Sequence, residues 1–186
     1  MTIKHFICTF NTNSKIEFND IETVSSKAFM NDATIVHVSF DDKLKKIQQS
    51  AFENVENLEI VEINSPKSLF YQNDKDSNDT GRNNLVLVQT YFSTERKQKR
   101  LEIQTHSFKN CLKLHTVIFP KVKEIIIEKE AFAGCESLRT VVLIANKVTF
   151  TENPFYDCKK DLCFVCNKNS SVDKFARENG FRTIYV

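Results

Sequence analysis

Five stretches of the chain share one pattern of apolar and polar positions. They are "SKAFMNDATIVHVSF", "QSAFENVENLEIVEI", "HSFKNCLKLHTVIF", "EAFAGCESLRTVVL" and "NPFYDCKKDLCFV", and they superimpose on Phe29, Phe52, Phe108, Phe132 and Phe155. Phe29 to Phe52 is a step of 23 residues, Phe108 to Phe132 of 24, and Phe132 to Phe155 of 23. A small residue precedes the Phe in most copies: Ala28, Ala51, Ser107 and Ala131. An aliphatic residue stands six residues after the Phe (Ile35, Leu58, Leu114, Leu138) and a Val nine after it (Val38, Val61, Val117, Val141). At eleven stand Phe40, Ile63, Phe119 and Leu143; five before the Phe stand Val24, Ile47, Ile103, Ile127 and Phe150.

The LxxVxL part of this pattern predicts a short strand, because side chains on a strand return to the same face every two residues. The AFxxC part is too short for an independent helix and predicts a helical or 3-10 turn, or an extended segment, on the opposite wall. The Phe would then plug the space between the walls. One such coil cannot bury its apolar face alone, so coils must stack. A period of about 20–29 residues is that of leucine-rich repeats. The step from Phe52 to Phe108 is 56 residues, which reads as one degenerate coil with inserted loops, its strand at "LVLVQ" (85–89). The ending "SSVDKFARENGFRTIYV" breaks the pattern. Ser171 suits a helix N-cap, Val172, Phe175 and Ala176 an inward stripe, Gly180 a C-cap, and "FRTIYV" a last strand. A solenoid needs a distinct final unit to cover the exposed core and strand edges.

The repeats, typified by "AFAGCESLRTVVL", and the ending "CNKNSSVDKFARENGFRTI" resemble the BspA-like (Treponema pallidum-type) leucine-rich-repeat family over roughly residues 16–186. The resemblance implies an α/β repeat fold. It would be a right-handed solenoid with short parallel strands on one face, helical, 3-10 or extended segments on the other, and a capping helix and strand. One domain would span 1–186, with an N-terminal cap (1–20), about six repeats (21–166, with insertions in 65–100) and a C-terminal cap (167–186). Binding of macromolecules rather than catalysis is the implied role, and several members are bacterial or protist surface adhesins.

Composition narrows the function. With 26 basic and 24 acidic residues the formal charge is +2, so the basic excess of a nucleic-acid binder is missing. Sixteen phenylalanines and no tryptophan point to one reused core plug. Only three glycines and three prolines are present, so turns must rely on Asn, Asp and Ser. The N-terminus "MTIKHFICTFNTNSK" lacks a signal-peptide core, and no apolar stretch is long enough for a membrane helix. An intracellular protein of cytoplasm or nucleus is the expectation, with the cell surface as the alternative, and the six cysteines are expected as thiols.

Candidate chemistry is sparse. Cys111, Cys135 and Cys158 each follow the repeat Phe by three residues and read as a buried ladder. "Cys163-Phe-Val-Cys166" has CxxC spacing but no second pair, and no His follows His115, so no metal or cofactor is expected. His5, His37, His106 and His115 are scattered, and no glycine loop could cradle phosphate. The run "ERKQKR" (95–100) reads as a solvated loop. No catalytic set emerges.

Two binding surfaces remain. Lys147-Val148-Thr149-Phe150 matches the basic-Val-x-Phe motif by which regulators dock on type 1 serine/threonine protein phosphatase, with Glu152 as an acidic flank. Docking of that kind resembles an added edge strand. Yet Val148 and Phe150 occupy the register of Ile125/Ile127 and Leu101/Ile103, which predicts core. The second surface is the outward face of the strand wall: His115, Thr116 and Ile118 beside Arg139, Thr140 and Val142. There Ile118 and Val142 are expected as an exposed apolar ladder for a protein partner or a second copy of the chain. The expectation is a non-enzymatic protein-binding scaffold, docking on a phosphatase or, alternatively, acting as a surface adhesin. No membrane span is expected, and a homo-oligomer is.

Overall fold

The computed structural model describes residues 15–63 and 100–186. Twelve strands and one helix are placed among them. Each repeat contributes two strands, one before its Phe and one after, and the two sets form two parallel sheets. The first sheet has seven strands in the order β1 (Lys15–Phe18), β3 (His37–Phe40), β5 (Ile60–Ile63), β7 (Thr116–Ile118), β9 (Thr140–Val142), β11 (Cys163–Cys166) and β12 (Arg182–Tyr185). The second has five, in the order β10 (Lys147–Phe150), β8 (Glu124–Ile127), β6 (Arg100–Ile103), β4 (Lys46–Ile47) and β2 (Thr23–Val24). Opposing the expected strand wall is thus a second extended wall.

The rings of the repeat Phe residues stack along the axis. Centroids are 5.0 Å apart for Phe29–Phe52, 5.2 Å for Phe52–Phe108, 5.1 Å for Phe108–Phe132 and 5.3 Å for Phe132–Phe155. The spacing follows that of hydrogen-bonded strands, about 4.8 Å, so the backbone ladder sets the ring ladder. Phe52, Phe108, Phe132 and Phe155 are fully buried. Each such burial contributes roughly 1.5–3 kcal/mol, and each aromatic pair a further ~0.5–1.5 kcal/mol.

The ring stack also corrects the reading of the long interval. β5 pairs directly with β7, and β4 with β6. The Phe52 and Phe108 coils are therefore neighbours, and no degenerate coil separates them. The stretch 64–99, including "LVLVQ" and most of "ERKQKR", lies outside the described residues, as does residues 1–14 of the N-terminal cap.

The AFxxC segment is a pair of turns rather than a helix. Backbone φ is positive two residues after the Phe at Asn31, Asn54, Asn110, Gly134 and Asp157, and two before it at Lys27, Ser50, His106 and Glu130. Asn and Asp tolerate that region, which explains how so few glycines suffice. The Asn side chains form a ladder: Asn54 Nδ2 donates to Asn31 Oδ1 at 2.9 Å, and Asn110 Nδ2 to Asn54 Oδ1 at 3.0 Å. At the next rung a Cβ on Gly134 would stand 2.5 Å from Asn110 Oδ1.

The single described helix, α1 (Ser171–Glu178), closes the end of the core with Val172 and Ala176 buried. Its N-cap is Ser170, one residue before the predicted Ser171, and Ser170 Oγ accepts from Asp173 N. Ser171 instead donates to Val148 O at 2.9 Å. Asn179 is the C-cap, and Gly180 follows with φ 74°.

Candidate binding surface

Side chains of the seven-stranded sheet alternate between the core and an outer face. Val38, Val61, Val117, Val141 and Phe164 point inward and are fully buried. The outer face carries two rows set by the strand register. One runs Lys15, His37, Ile60, Thr116, Thr140, Cys163, Arg182. The other runs Glu17, Ser39, Glu62, Ile118, Val142, Val165, Ile184.

Ile118 and Val142 hold the outward register predicted for them, but they are not exposed: 6% and 9% of their surfaces are accessible. Each has an outer-row neighbour on both sides, and rungs about 4.8 Å apart leave little room for water between branched side chains. Ile184, with such a neighbour on one side only, is 40% exposed. Thr116 and Thr140 are half-buried, as is His115 just before β7, and Arg139 is exposed. Arg139 Nη1 pairs with Asp161 Oδ2. His115 Nδ1 lies 2.9 Å from Thr116 Oγ1. Burial holds the His115 pKa below the usual value; nearby Glu59 opposes that shift, while Arg139 and His37 reinforce it. At the other end of the face His37 Nε2 stands 3.0 Å from the buried carboxylate of Glu62, with Lys15 Nζ 3.9 Å from the same oxygen.

The five-stranded sheet has a different exterior. Lys46 Nζ meets Glu102 Oε2 at 2.7 Å, Arg100 Nη2 meets Glu102 Oε1 at 2.7 Å, Arg100 Nε lies 3.8 Å from Glu124, and Lys147 Nζ meets Glu124 at 2.8 Å. Hydrogen bonds from Lys46 and from Lys147 hold the Glu102 and Glu124 carboxyls below the usual range. Charges of alternate sign thus cross the coils of this wall.

Lys147, Val148, Thr149 and Phe150 form β10, the edge strand of that sheet. Lys147 is exposed and Thr149 half-buried, but Val148 is 5% exposed and belongs to the core. Phe150 stacks on Phe175 of α1 at 4.1 Å. The helix therefore packs on the two side chains that a docking strand would have to offer, and Ser171 occupies one carbonyl of the strand.

Three described thiols bond to the backbone of the preceding coil. Cys111, Cys135 and Cys158 donate through Sγ to the carbonyls of Phe52, Phe108 and Phe132 at 3.2, 3.1 and 3.2 Å. Burial pushes the Cys135 and Cys158 thiols well up, and Cys166 up to about 11. Among the described residues no three His, Cys, Asp or Glu side chains gather where they could hold a metal ion. No described helix is long and apolar enough to cross a membrane.

The sequence matches the profile of the BspA type leucine rich repeat region in six copies, over residues 2–78 and 93–180. The chain belongs to the BspA-type leucine-rich-repeat family. Its fold is similar to a crystal structure of the pneumococcal vaccine antigen PcpA, with a TM-score of 0.51 and 13% sequence identity. That similarity covers 96% of this chain and 46% of the other, so the chain spans about half the length of that structure. No curated protein matches it significantly.

Proposed function

We propose that this chain is a non-catalytic protein-binding module of the surface-adhesin type, and that its partner meets the outer face of the seven-stranded sheet. The observation that carries this reading is the difference between the two walls. From β7 to β11 the seven-stranded wall presents threonines and aliphatic rungs, its ion pairs being gathered at the β1–β5 end (Lys15, Glu17, His37 and Glu62), whereas the five-stranded wall is laced with ion pairs that cost desolvation to cover. His115, Thr116, Arg139 and Thr140 form the accessible rim of the first wall, beside the buried rungs Ile118 and Val142. Membership of the BspA-type family and likeness to a vaccine antigen support a role at the cell surface. Labelling of intact source cells with a membrane-impermeant amine reagent tests it. Labelled chain is the expected result; chain labelled only after lysis would return it to the cytoplasm or nucleus.

Docking on type 1 phosphatase through Lys147–Phe150 asks more of the molecule. Val148 and Phe150 would have to leave Phe175 and the core, at a cost of about 3 kcal/mol. A folded Val148→Ala/Phe150→Ala variant that still binds purified phosphatase, or a wild type that does not, removes that reading.

A further inference from the structure

The seven-stranded sheet ends at β12, and no other described strand pairs with its far side. On its near side Arg182 N donates to Leu162 O and Val186 N to Cys166 O. By the alternation of a parallel ladder, Ile184 also bonds toward β11, and the N–H and C=O groups of Thr183 and Tyr185 face outward. An open row of this kind is a template for another strand. Natural edge strands are usually blunted by Lys, Glu, Pro or a bulge. Here Thr183, Ile184, Tyr185 and Val186 carry no charge and no proline. The strand's one charged residue, Arg182, is engaged, with Nη2 donating to Asp161 O at 2.8 Å. Exposed large apolar residues also concentrate here: Ile184 at 40%, Tyr185 at 45% and Val186 at 47%.

We propose that β12 is a self-association edge, at which a second copy of this chain adds its own β12 in antiparallel pairing. The strand is complementary to itself in that register. With Thr183 and Tyr185 as the outward-bonding residues, Thr183 pairs with Tyr185 of the second copy, and Tyr185 with its Thr183. Ile184 then falls on the two-fold axis against Ile184 of the second copy, in a non-hydrogen-bonded pair whose side chains are closest. Both isoleucines lie on the outer face, since Ile184 is paired with Val165. The apolar row Ile118–Val142–Val165–Ile184 would thus run unbroken into the second copy. Tyr185 keeps its inward contact, with Oη donating to Asp173 Oδ1 at 3.1 Å, so the pairing requires no repacking. Such an isologous contact closes on itself and stops at a dimer. An unrelated extended peptide would satisfy the same edge hydrogen bonds. The second copy is favoured because it also supplies the matching isoleucine. One strand pair is a small interface, below the ~1,200 Å² of stable complexes, so dimerisation falls in the micromolar to millimolar range.

The test is sedimentation of the full chain over a concentration series, with three variants. Thr183→Pro removes an outward N–H at a position where an edge strand tolerates proline. Ile184→Lys sets two ammonium groups against each other at the dyad. Ile184→Cys should give a disulfide-linked dimer under mild oxidant, because residues facing across a non-hydrogen-bonded pair lie within bridging distance. Arg182→Cys, off the dyad, should not. Expected are a concentration-dependent wild-type dimer, at least a tenfold weaker association in Thr183→Pro and Ile184→Lys, and cross-linking of Ile184→Cys alone. Circular dichroism melts confirm that the variants are folded; Ile184→Cys keeps the test open if the other two are not. A wild type that stays monomeric at the highest concentration overturns the proposal. So does a dimer that survives in folded variants, which would place the contact on another surface.

Discussion

The two walls of the solenoid share one core and differ outside it. On the five-stranded wall the outward positions hold Lys46, Glu102, Arg100, Glu124 and Lys147 in alternating ion pairs across coils. On the seven-stranded wall the outward rungs of β7, β9 and β11 are Ile118, Val142 and Val165, all nearly buried, and its charges Lys15, Glu17 and Glu62 stand only on the first coils. Both walls obey the same strand spacing, and both use the ladder to bring like positions together. The difference lies in what is stacked. Charges of alternate sign keep one wall in water, while branched apolar side chains make the β7–β11 part of the other a dry surface. A repeat can therefore hold its fold constant while its two exteriors are set independently for solubility and contact.

Substitutions can break or sharpen this contrast, and the largest effect should come from what the walls share. Phe132 is fully buried between Phe108 and Phe155. Phe132→Ala is expected to cost about 3–5 kcal/mol, read by urea denaturation, and to loosen both walls together. Exchange protection lost in one wall alone would mean that they are not one cooperative unit. Next comes Val142→Lys, which puts an ammonium between Ile118 and Val165; a loss of about 2–3 kcal/mol is expected. A neutral result would show that the outer rungs are wetter than their 9% or lower exposure implies.

The pH dependence of stability probes the shared core differently. Cys166 titrates near 9.0 when solvated and is pushed up to about 11 by burial, and Cys135 and Cys158 shift the same way. Above pH 9 the unfolded chain loses thiol protons that the folded chain keeps, so the unfolded state binds fewer protons and stability falls as pH rises. Urea midpoints should be insensitive to these groups below pH 9 and decline on the way to 11, less steeply in Cys166→Ala. An equal decline in that variant would rule out the Cys166 contribution. The smallest effect belongs to the charged wall. Glu124→Gln removes the partner of Lys147 and Arg100 at a solvated surface, and should leave the melting temperature unchanged within the scan's error, with or without salt. A clear drop would make the ion pairs a structural device rather than a solubility one.

Much of the architecture was legible in the sequence because a repeat amplifies weak signals. The Phe positions, the small residue before them and the Val at nine recur often enough to fix the inner face of the first sheet. The second sheet was visible only as an apolar position five before each Phe and, in three coils, another seven before it (Leu101, Ile125, Val148). Its strands β2 and β4 are two residues long, too short for an alternation to register. The interval before Phe108 misled because length alone suggests another coil, whereas hydrogen bonding between β5 and β7 skips it. The cap serine was misplaced by one, since adjacent Ser170 and Ser171 are equivalent in sequence and only the Asp173 amide separates them. The expected exposure of Ile118 and Val142 failed for a different reason. Strand parity tells which face a residue takes, but not how closely its neighbours in other coils shield it.

The claim that the seven-stranded wall is the contact surface is tested most directly by rim substitution against binding. His115→Ala/Arg139→Glu/Thr140→Lys would be compared with Glu102→Gln/Glu124→Gln on the opposite wall, each folded, for adhesion of the purified chain to immobilised extracellular proteins. The account predicts that the first set abolishes adhesion and that the second leaves it intact. Adhesion lost only when the charged wall is altered would contradict it.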